Sequence, residues 1–360
     1  MNHNNKLQNQ TRWTSFFTSN PKDYARNQVI SALTTPMILQ RLRIMPCFRK
    51  KEFIRKFYKW PYIINDFFVS DFDTFVNDRQ EVAPDSFRAK RLYVRDWLNF
   101  KLSKFILFDS NAHFQYISSL FGKTKAKVHI LPVLANRQIY YPSSNDQSCP
   151  SKKVRVLFFG TFIPLHGLDK IVDAAKLVLD IRNDITFKII GKGQTLPIIK
   201  KKMYKLNLPT SNFTLHEVIL PEEELRKEIL AADIILGIFG SSKKAQSVIP
   251  NKVYQGLACK KCVLTMESPA IKELFNEEQI AITRSRPDLI AQTIIKLADS
   301  VNVRIAFANE GYQKFINLYD SVKLDFNTFL SIAEQETEEF VSKTNFPCFK
   351  HIWQSFRESR

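Results

Sequence analysis

From residue 153 onward, short apolar runs alternate with helical patterns in a regular order. The run "VRVLFFG" (154–160) is apolar almost throughout and ends in glycine, as expected of a strand buried on both faces. The stretch 168–181 has apolar residues at helical spacing, and "ITFKIIG" (185–191) is a second strand. Further strands follow at "NFTLHEV", "DIILGIF", "KCVLT" and "QIAIT", with helices between them. This alternation predicts βαβ units, a parallel sheet and a doubly wound α/β domain over 152–300.

The preceding part of the chain is less regular. Strands are predicted at "YIIND" (62–66), "FILFDS" (105–110) and "KVHILPV" (127–133). Residues 86–103 predict a helix capped by Asp85 or Ser86, and its apolar residues Val94, Leu98 and Leu102 form one stripe. After 303 the sequence predicts helices to the end.

Length and composition narrow the class of protein. A chain of 360 residues is long enough for two domains. No apolar run approaches the ~20 residues of a membrane span. The polar start "MNHNNKLQNQ" lacks the apolar core of a secretory signal, and the 5 cysteines are an odd number, widely scattered apart from Cys259 and Cys262. We therefore expect a cytoplasmic protein with free thiols.

The charge is strongly positive and uneven. The net charge is +18, and two-thirds of the excess lies in the first 150 residues. Such a balance favours polyanionic partners, namely acidic lipid headgroups, nucleotides or nucleic acid. Nucleic acid is the least favoured, because the sequence has no helix-turn-helix, RNA-binding aromatic signature or paired zinc motif.

The loops that follow the predicted strands of the second domain carry glycine and lysine. In doubly wound sheets, ligands bind beyond the carboxyl ends of the strands. The loops there are 160–167, 191–194, 217–221 and 239–252, and the last contains Lys243, Lys244 and Lys252. Glycine lets backbone approach a ligand closely, and helix starts bind anions. These features together predict a phosphate-bearing ligand.

The motifs of this half resemble a known family. The stretches "VLFFGTFIPLHGLDKIVDAAKLV", "IIGKGQ", "AADIILGIFG" and "VIPNKVYQGLACKKCVLT" resemble the carboxyl-terminal domain of the family four glycosyltransferases, and "FILFDSNAHFQYISSLFG" extends the resemblance upstream. The resemblance implies a GT-B fold, in which two Rossmann-like domains face each other across a donor cleft. It also implies retaining, metal-independent hexosyl transfer from a nucleotide-diphosphate sugar to a glycan or lipid-linked acceptor, with no metal and no cofactor.

The resemblance also implies roles for individual residues. A helix beginning at Pro250 would point its N-terminus and Lys252 at the donor diphosphate. Lys252, His166 and Asp66 are the candidate catalytic residues. The other candidate donor-binding residues lie in the glycine loops, near the base and on the Lys252 helix: Gly160, Thr161, Gly167, Gly191, Lys192, Gly193, Val218, Asn251 and Gln255.

Several positions depart from the family pattern. Thr161 and His166 stand where Arg and Lys are frequent, and Gln255 stands where a glutamate binds the donor ribose. Ser247 takes the place of an earlier glutamate. The first domain is shorter than usual, and Asp66, in "ND", is the nearest counterpart of a His-Asp pair. These departures keep open a second interpretation, a degenerate glycosyltransferase that serves as a non-catalytic binding or partner subunit.

A basic, aromatic stretch at 41–60, "RLRIMPCFRKKEFIRKFYKW", suits either an anionic membrane surface or a core-packing helix with a basic outer face. A membrane position would fit a cell-envelope role. The expected layout is a basic extension (1–60), a shortened acceptor-side Rossmann-like domain (61–140), a linker (141–152), a nucleotide-sugar domain (153–302) and carboxyl-terminal helices (303–360).

Overall fold

The computed structural model of the chain describes residues 29–30, 32–34, 43–46, 63–143 and 153–343. It contains two parallel sheets with helices packed around them, as predicted for an α/β fold with two Rossmann-like units. No helix in the described ranges is both long and apolar enough to cross a membrane. Of the basic stretch 41–60, only 43–46 lies within the described residues.

The first sheet has four strands, ordered β1-β2-β3-β4. Helices α1 and α2 follow β2 and β3, and they begin at serine caps: Ser86 accepts from Ala89 N–H and Ser110 from His113 N–H. The elements are β1 (Arg43–Pro46), β2 (Ile63–Asp66), α1 (Phe87–Leu102), β3 (Phe105–Phe108), α2 (Asn111–Phe121) and β4 (Lys127–Ile130).

Helix α1 forms where it was predicted, but its predicted apolar stripe does not face the core. Val94 and Leu102 are 51% and 40% exposed. The buried face instead carries Ala89, Leu92 and Phe100, with the polar Asp96 and Asn99. Phe100 packs in an aromatic core with rings from β3 and α2. Two apolar patterns compete on this helix, and the one whose Phe100 ring joins the aromatic core of the first domain is buried.

The second sheet has six parallel strands in the order β10-β9-β8-β5-β6-β7, which confirms the doubly wound arrangement. In β5, Val156 and Phe158 pack on one face and Leu157 and Phe159 on the other, so both faces are covered. The elements are β5 (Val154–Phe159), α3 (Leu168–Leu179), β6 (Ile185–Ile190), α4 (Leu196–Lys205), β7 (Phe213–His216), α5 (Glu222–Ala231), β8 (Ile234–Leu236), α6 (Lys243–Ser247), α7 (Asn251–Ala258), β9 (Cys262–Met266), α8 (Pro269–Leu274), β10 (Ala281–Thr283) and α9 (Pro287–Asp299).

One continuous helix, α10 (Val301–Lys343, 43 residues), ends the described chain. It packs on the second sheet and then reaches back to the first. There Phe329 meets the Phe105 ring edge to face and stacks on His129, and Glu336 pairs with Lys104 and Lys127. The two domains are therefore tied together through α10 as well as through the linker.

Candidate functional site

The strand order of the second sheet reverses between β5 and β8, and the loops after these strands meet at that point. The Phe239 N–H donates to the carbonyl of His166 at 3.0 Å. Gly167 has φ +62°, and a Cβ there would lie 2.4 Å from the Phe239 backbone. Only glycine allows this close packing. The loops 160–167 and 239–252 therefore form one continuous rim, at the place where doubly wound sheets bind ligands.

Lys252, on the first turn of α7, points its amine into this rim. Its side chain is buried (4% exposed), and Nζ lies 3.9 Å from the centre of the Phe158 ring. Nζ has no hydrogen-bond partner among the described residues. A Cβ added at Gly160 would lie 3.4 Å from Nζ, so the glycine keeps one side of the amine clear. Burial lowers the pKa of Lys252 well below its usual value.

His166 is the second titratable group of the rim. Its Nδ1 hydrogen-bonds to the carbonyl of Thr161. Burial, and then the nearby charge of Lys252, lower the pKa of His166 well below its usual value. A carbonyl partner requires an N–H on Nδ1, so the neutral ring leaves Nε2 as a hydrogen-bond acceptor. The site thus pairs one buried amine with one neutral imidazole.

The helices that start at the rim leave their first N–H groups without a side-chain cap. The residue before α7 is Pro250, and the residue before α3 is Gly167; neither supplies a capping side chain. The adjacent α6 is capped, because Ser242 accepts from Ala245 N–H. Uncapped helix starts present N–H donors and a partial positive charge, and these favour phosphate groups.

Comparison with known proteins finds one matching family model. Residues 153–300 match the family model described as Glycosyl transferases group 1. This segment is therefore similar to the domains that this family model describes. No curated protein matches the sequence.

Solved structures resemble most of the chain. Sucrose-phosphate synthase from Thermosynechococcus elongatus has a TM-score of 0.63 at 13% identity, covering 80% of this chain and 72% of that one. Anabaena HepE in complex with UDP and glucose has a TM-score of 0.62 at 12% identity, covering 87% and 83%. S. aureus TarM in a complex that includes UDP has a TM-score of 0.58 at 14% identity, covering 74% and 50%.

The fold is GT-B. In this GT-B chain the carboxyl edges of the two sheets face each other, because Ser110, just after β3, donates to the carbonyl of Ser247 at 2.6 Å. The rim of Lys252 and His166 therefore opens on the side that meets the first domain.

The predicted donor residues around this rim have different surroundings. Gly160, Thr161, His166 and Lys252 come together as described. The glycines of the next loop are explained by packing, since a Cβ at Gly191 would lie 1.9 Å from the Gly160 carbonyl and one at Gly193 would lie 2.6 Å from the Phe162 carbonyl. Lys192, between them, is exposed, and Val218 is 38% exposed after β7.

Asn251 and Gln255 lie on another face of α7. They line a small cavity with Tyr140, Asn136 and Glu222, and the segment 134–140 after β4 forms one of its walls. Gln255 is buried (9% exposed). The amide thus shares its cavity with a carboxylate and a phenol, a contact between distant segments that the sequence did not indicate.

Asp66 ends β2 and is buried in the first domain. None of the contacts described above for Lys252 and His166 involves it. Its assignment to the acceptor site stays a prediction.

The three lysines of the fourth loop separate in space. Lys243 is exposed, Lys252 faces the rim, and Lys244 is buried against the first domain. Lys244 Nζ donates to Thr74 Oγ1 at 2.5 Å and lies 3.4 Å from the Asp73 carboxylate. Asp73 begins a π-helical segment (Asp73–Asp78) that sequence reasoning missed, although the run "SDFDTFVND" is the most acidic part of an otherwise basic domain.

Proposed function

We propose that this chain transfers a hexosyl-type sugar from a nucleotide-diphosphate donor to a glycan or lipid-linked acceptor. The buried, unpartnered amine of Lys252 at the strand reversal is the observation that carries the proposal. An isolated buried amine is costly for the fold, and a bound diphosphate would give it the anionic partner that the protein does not.

In the proposed transfer, Lys252, the helix starts and His166 have different roles. As the sugar–phosphate bond breaks, negative charge grows on the departing diphosphate. Lys252 and the free N–H groups at the starts of α3 and α7 stabilise that charge from fixed positions. The neutral His166 accepts a hydrogen bond through Nε2, which suits a sugar hydroxyl better than a phosphate. Retention of configuration and independence of metal ions come from the family resemblance.

The similar structures support a nucleotide-sugar donor, since Anabaena HepE has been solved in complex with UDP and glucose and in complex with UDP-glucose. The sequence identities to these structures are low, so the nucleotide and the sugar that this chain uses are part of the proposal. A cytoplasmic position, with access to an anionic membrane for a lipid-linked envelope acceptor, completes it.

Calorimetry with a panel of UDP-, GDP- and ADP-sugars tests the proposal. We expect one nucleotide class to bind, and Lys252→Ala to weaken that binding by roughly 10- to 150-fold, because a hydrogen bond to a charged group contributes about 1.5–3 kcal/mol. Lys243→Ala, an exposed lysine nine residues away, is the matched control and should bind as the wild type does. Binding of no donor, or equal binding by Lys252→Ala, would reject the site.

The alternative is a chain that binds donor but transfers nothing, and the position of Gln255 favours it. A charged ribose-binding glutamate is absent, and the amide faces Tyr140 and Glu222. Hydrolysis of the bound donor, followed as release of free sugar, separates the two functions. If Gln255→Glu tightens donor binding, the site is a weakened form of the usual one. If it only destabilises the fold by placing a second carboxylate beside Glu222, the site is organised differently.

A further inference from the structure

Helix α1 exposes a face that is both apolar and basic. Its members recur every three or four residues along the whole helix, so they lie on one side. None is acidic. This outer face of α1 consists of Phe87, Lys90, Arg91, Val94, Trp97, Leu98, Lys101 and Leu102.

The apolar members of the outer face are unusually open to solvent. Phe87 is 81% exposed, Val94 51%, Trp97 37% and Leu102 40%. A helix on the surface of a soluble domain normally turns polar residues outward and keeps its apolar stripe for the core. Here a second apolar stripe faces outward, opposite the buried one, and a contiguous stripe of this kind marks an interaction surface.

The charges of the outer face are available for a partner. Within the described part of the chain, Lys90 and Arg91 make no ion pair and are exposed. The basic loop after α2 adjoins the C-terminal end of the helix, because Lys101 Nζ donates to the Lys123 carbonyl and Thr124 Oγ1 donates to the Phe100 carbonyl. Lys123 and Lys125 in that loop are exposed as well.

Helix α4 has a similar composition but a different arrangement. Ile198 and Tyr204 are 65% and 91% exposed, yet they lie on different sides of the helix. Two of its lysines are neutralised, Lys200 by Glu217 and Lys202 by Asp173. Helix α4 therefore lacks the single apolar stripe, flanked by cations without ion pairs, that α1 has.

We propose that the outer face of α1 docks the protein on an anionic lipid surface. Aromatic and aliphatic side chains enter the boundary between headgroups and acyl chains, while lysine and arginine meet the acidic headgroups. A nucleic acid would use the cations and the aromatic rings, but Val94, Leu98 and Leu102 would gain little from it. The aliphatic members thus favour lipid.

The topology gives this docking a direction. Helix α1 starts after the carboxyl end of β2, so Phe87 lies at the edge of the first sheet that faces the cleft. An α1 lying on a membrane brings the mouth of the cleft close to the lipid headgroups. That this position would bring a lipid-linked acceptor to the cleft rests on the proposed function. The docking itself does not depend on that function.

Vesicle flotation of the full chain tests the docking surface. We expect it to float with phosphatidylcholine vesicles that contain phosphatidylglycerol, much less with phosphatidylcholine alone, and less as salt rises. At about 1 kcal/mol per basic residue, Lys90→Gln with Arg91→Gln should lower partitioning on the order of 30-fold. Val94→Gln with Trp97→Gln should lower it even at low salt, because it removes the inserted part.

Matched variants on α4 serve as controls. Lys201→Gln with Lys205→Gln, and Ile198→Gln with Tyr204→Gln, should float as the wild type does. A variant of the basic stretch, Lys50→Gln with Lys51→Gln, tests the other candidate segment.

The docking surface is rejected if the α1 variants float normally, if the wild type does not float, or if only the 50/51 variant loses binding. It is also rejected if DNA binds as tightly as the vesicles and the Val94/Trp97 variant leaves both unchanged. Donor calorimetry on the α1 variants should match the wild type, so failure of docking and failure of the donor site give different results.

Discussion

Lys252 places an amine among apolar groups, and the described residues offer it no hydrogen-bond partner. Leaving a buried polar group unpaired costs on the order of 1–3 kcal/mol. We therefore expect Lys252→Met to raise the free energy of unfolding of the unliganded protein by about that amount, measured by urea denaturation at neutral pH. The contact with the Phe158 ring is kept in part by the methionine sulfur.

The same variant should lose the stabilisation that a donor confers. A ligand at 100 times its Kd adds about 2.7 kcal/mol to the wild type. Lys243→Met, an exposed lysine, should change neither the free energy of unfolding of the unliganded protein nor the stabilisation by the donor. A less stable Lys252→Met protein would contradict the interpretation of this lysine as a functional group held at the expense of stability.

Protonation of Lys252 should be coupled to donor binding. Burial lowers its pKa in the free protein, and an adjacent diphosphate favours the charged form and raises the pKa. Between these two pKa values, binding takes up protons, so donor affinity falls as the pH rises through this window. Calorimetry in two buffers with different ionisation enthalpies measures the uptake. Zero uptake at every pH at which the protein stays folded, or equal uptake by Lys252→Met, would argue against this coupling.

At the scale of single elements, the carboxylate of Asp96 on α1 holds the start of the segment 70–78 through hydrogen bonds. The side chain of Asp96 is 1% exposed; its Oδ2 accepts from Ser70 Oγ at 2.6 Å and from Phe72 N–H at 2.8 Å. Burial raises the pKa of Asp96 from 3.8 to about 6, against the lowering effect of these hydrogen bonds. The protonated form is therefore favoured in the folded protein relative to the unfolded chain.

This pKa predicts a loss of stability with rising pH. Between about pH 4 and 6 the folded protein holds a proton that the unfolded chain has released, so the free energy of unfolding falls as the pH rises, by roughly 3 kcal/mol in total from this group. Asp96→Asn should remove this slope and be the more stable protein at neutral pH. Urea denaturation across this range measures it, with Asp85→Asn, an exposed aspartate before α1, as the control. Parallel curves for Asp96→Asn and the wild type would contradict the assignment.

The sequence predicted the second sheet well because burial on both faces leaves one arrangement for each segment. Strands such as β5 and β6 are apolar almost throughout, and glycines mark the turns after them. The parallel arrangement of the strands follows from the alternation of strands and helices. The expected place of a ligand follows as well, because ligands of doubly wound sheets bind beyond the carboxyl ends of the strands.

The orientation of α1 was not predictable in the same way. Its 16 residues carry two apolar stripes, and only the aromatic core of the first domain decides which is buried. The neutral state of His166 and the surroundings of Gln255 also depend on segments far apart in the chain. Side-chain contacts of this kind need the tertiary structure.

At the scale of the whole molecule, polar contacts join the two domains close to the rim. Ser242 Oγ bonds Asp78 at 3.0 Å, the Glu273 carboxylate accepts from Asn111 N–H at 2.8 Å, and the Gln194 amide donates to the Arg79 carbonyl at 3.0 Å. Two of them, those of Ser242 and Gln194, come from the loops that also carry candidate site residues. The contacts across the cleft and the candidate site therefore share these loops.

Lys244 and Asp73 form a buried ion pair between the two domains, with side chains 10% and 1% exposed. Removing one partner leaves the other charge buried, so Lys244→Met and Asp73→Asn should each destabilise by about 3–5 kcal/mol. The double variant should recover part of that loss, with a coupling of roughly 1–3 kcal/mol.

Urea denaturation of the four proteins measures this coupling between the domains, and X-ray scattering of the single variants should show a larger radius of gyration as the cleft opens. Lys243→Met, on the same helix but exposed, should change neither measurement. Strict additivity of the two substitutions, with unchanged scattering, would mean that the Lys244–Asp73 pair does not hold the two domains together. In that case the rim would not need the π-helical segment to bind the donor, and Lys244→Met would bind donor as the wild type does.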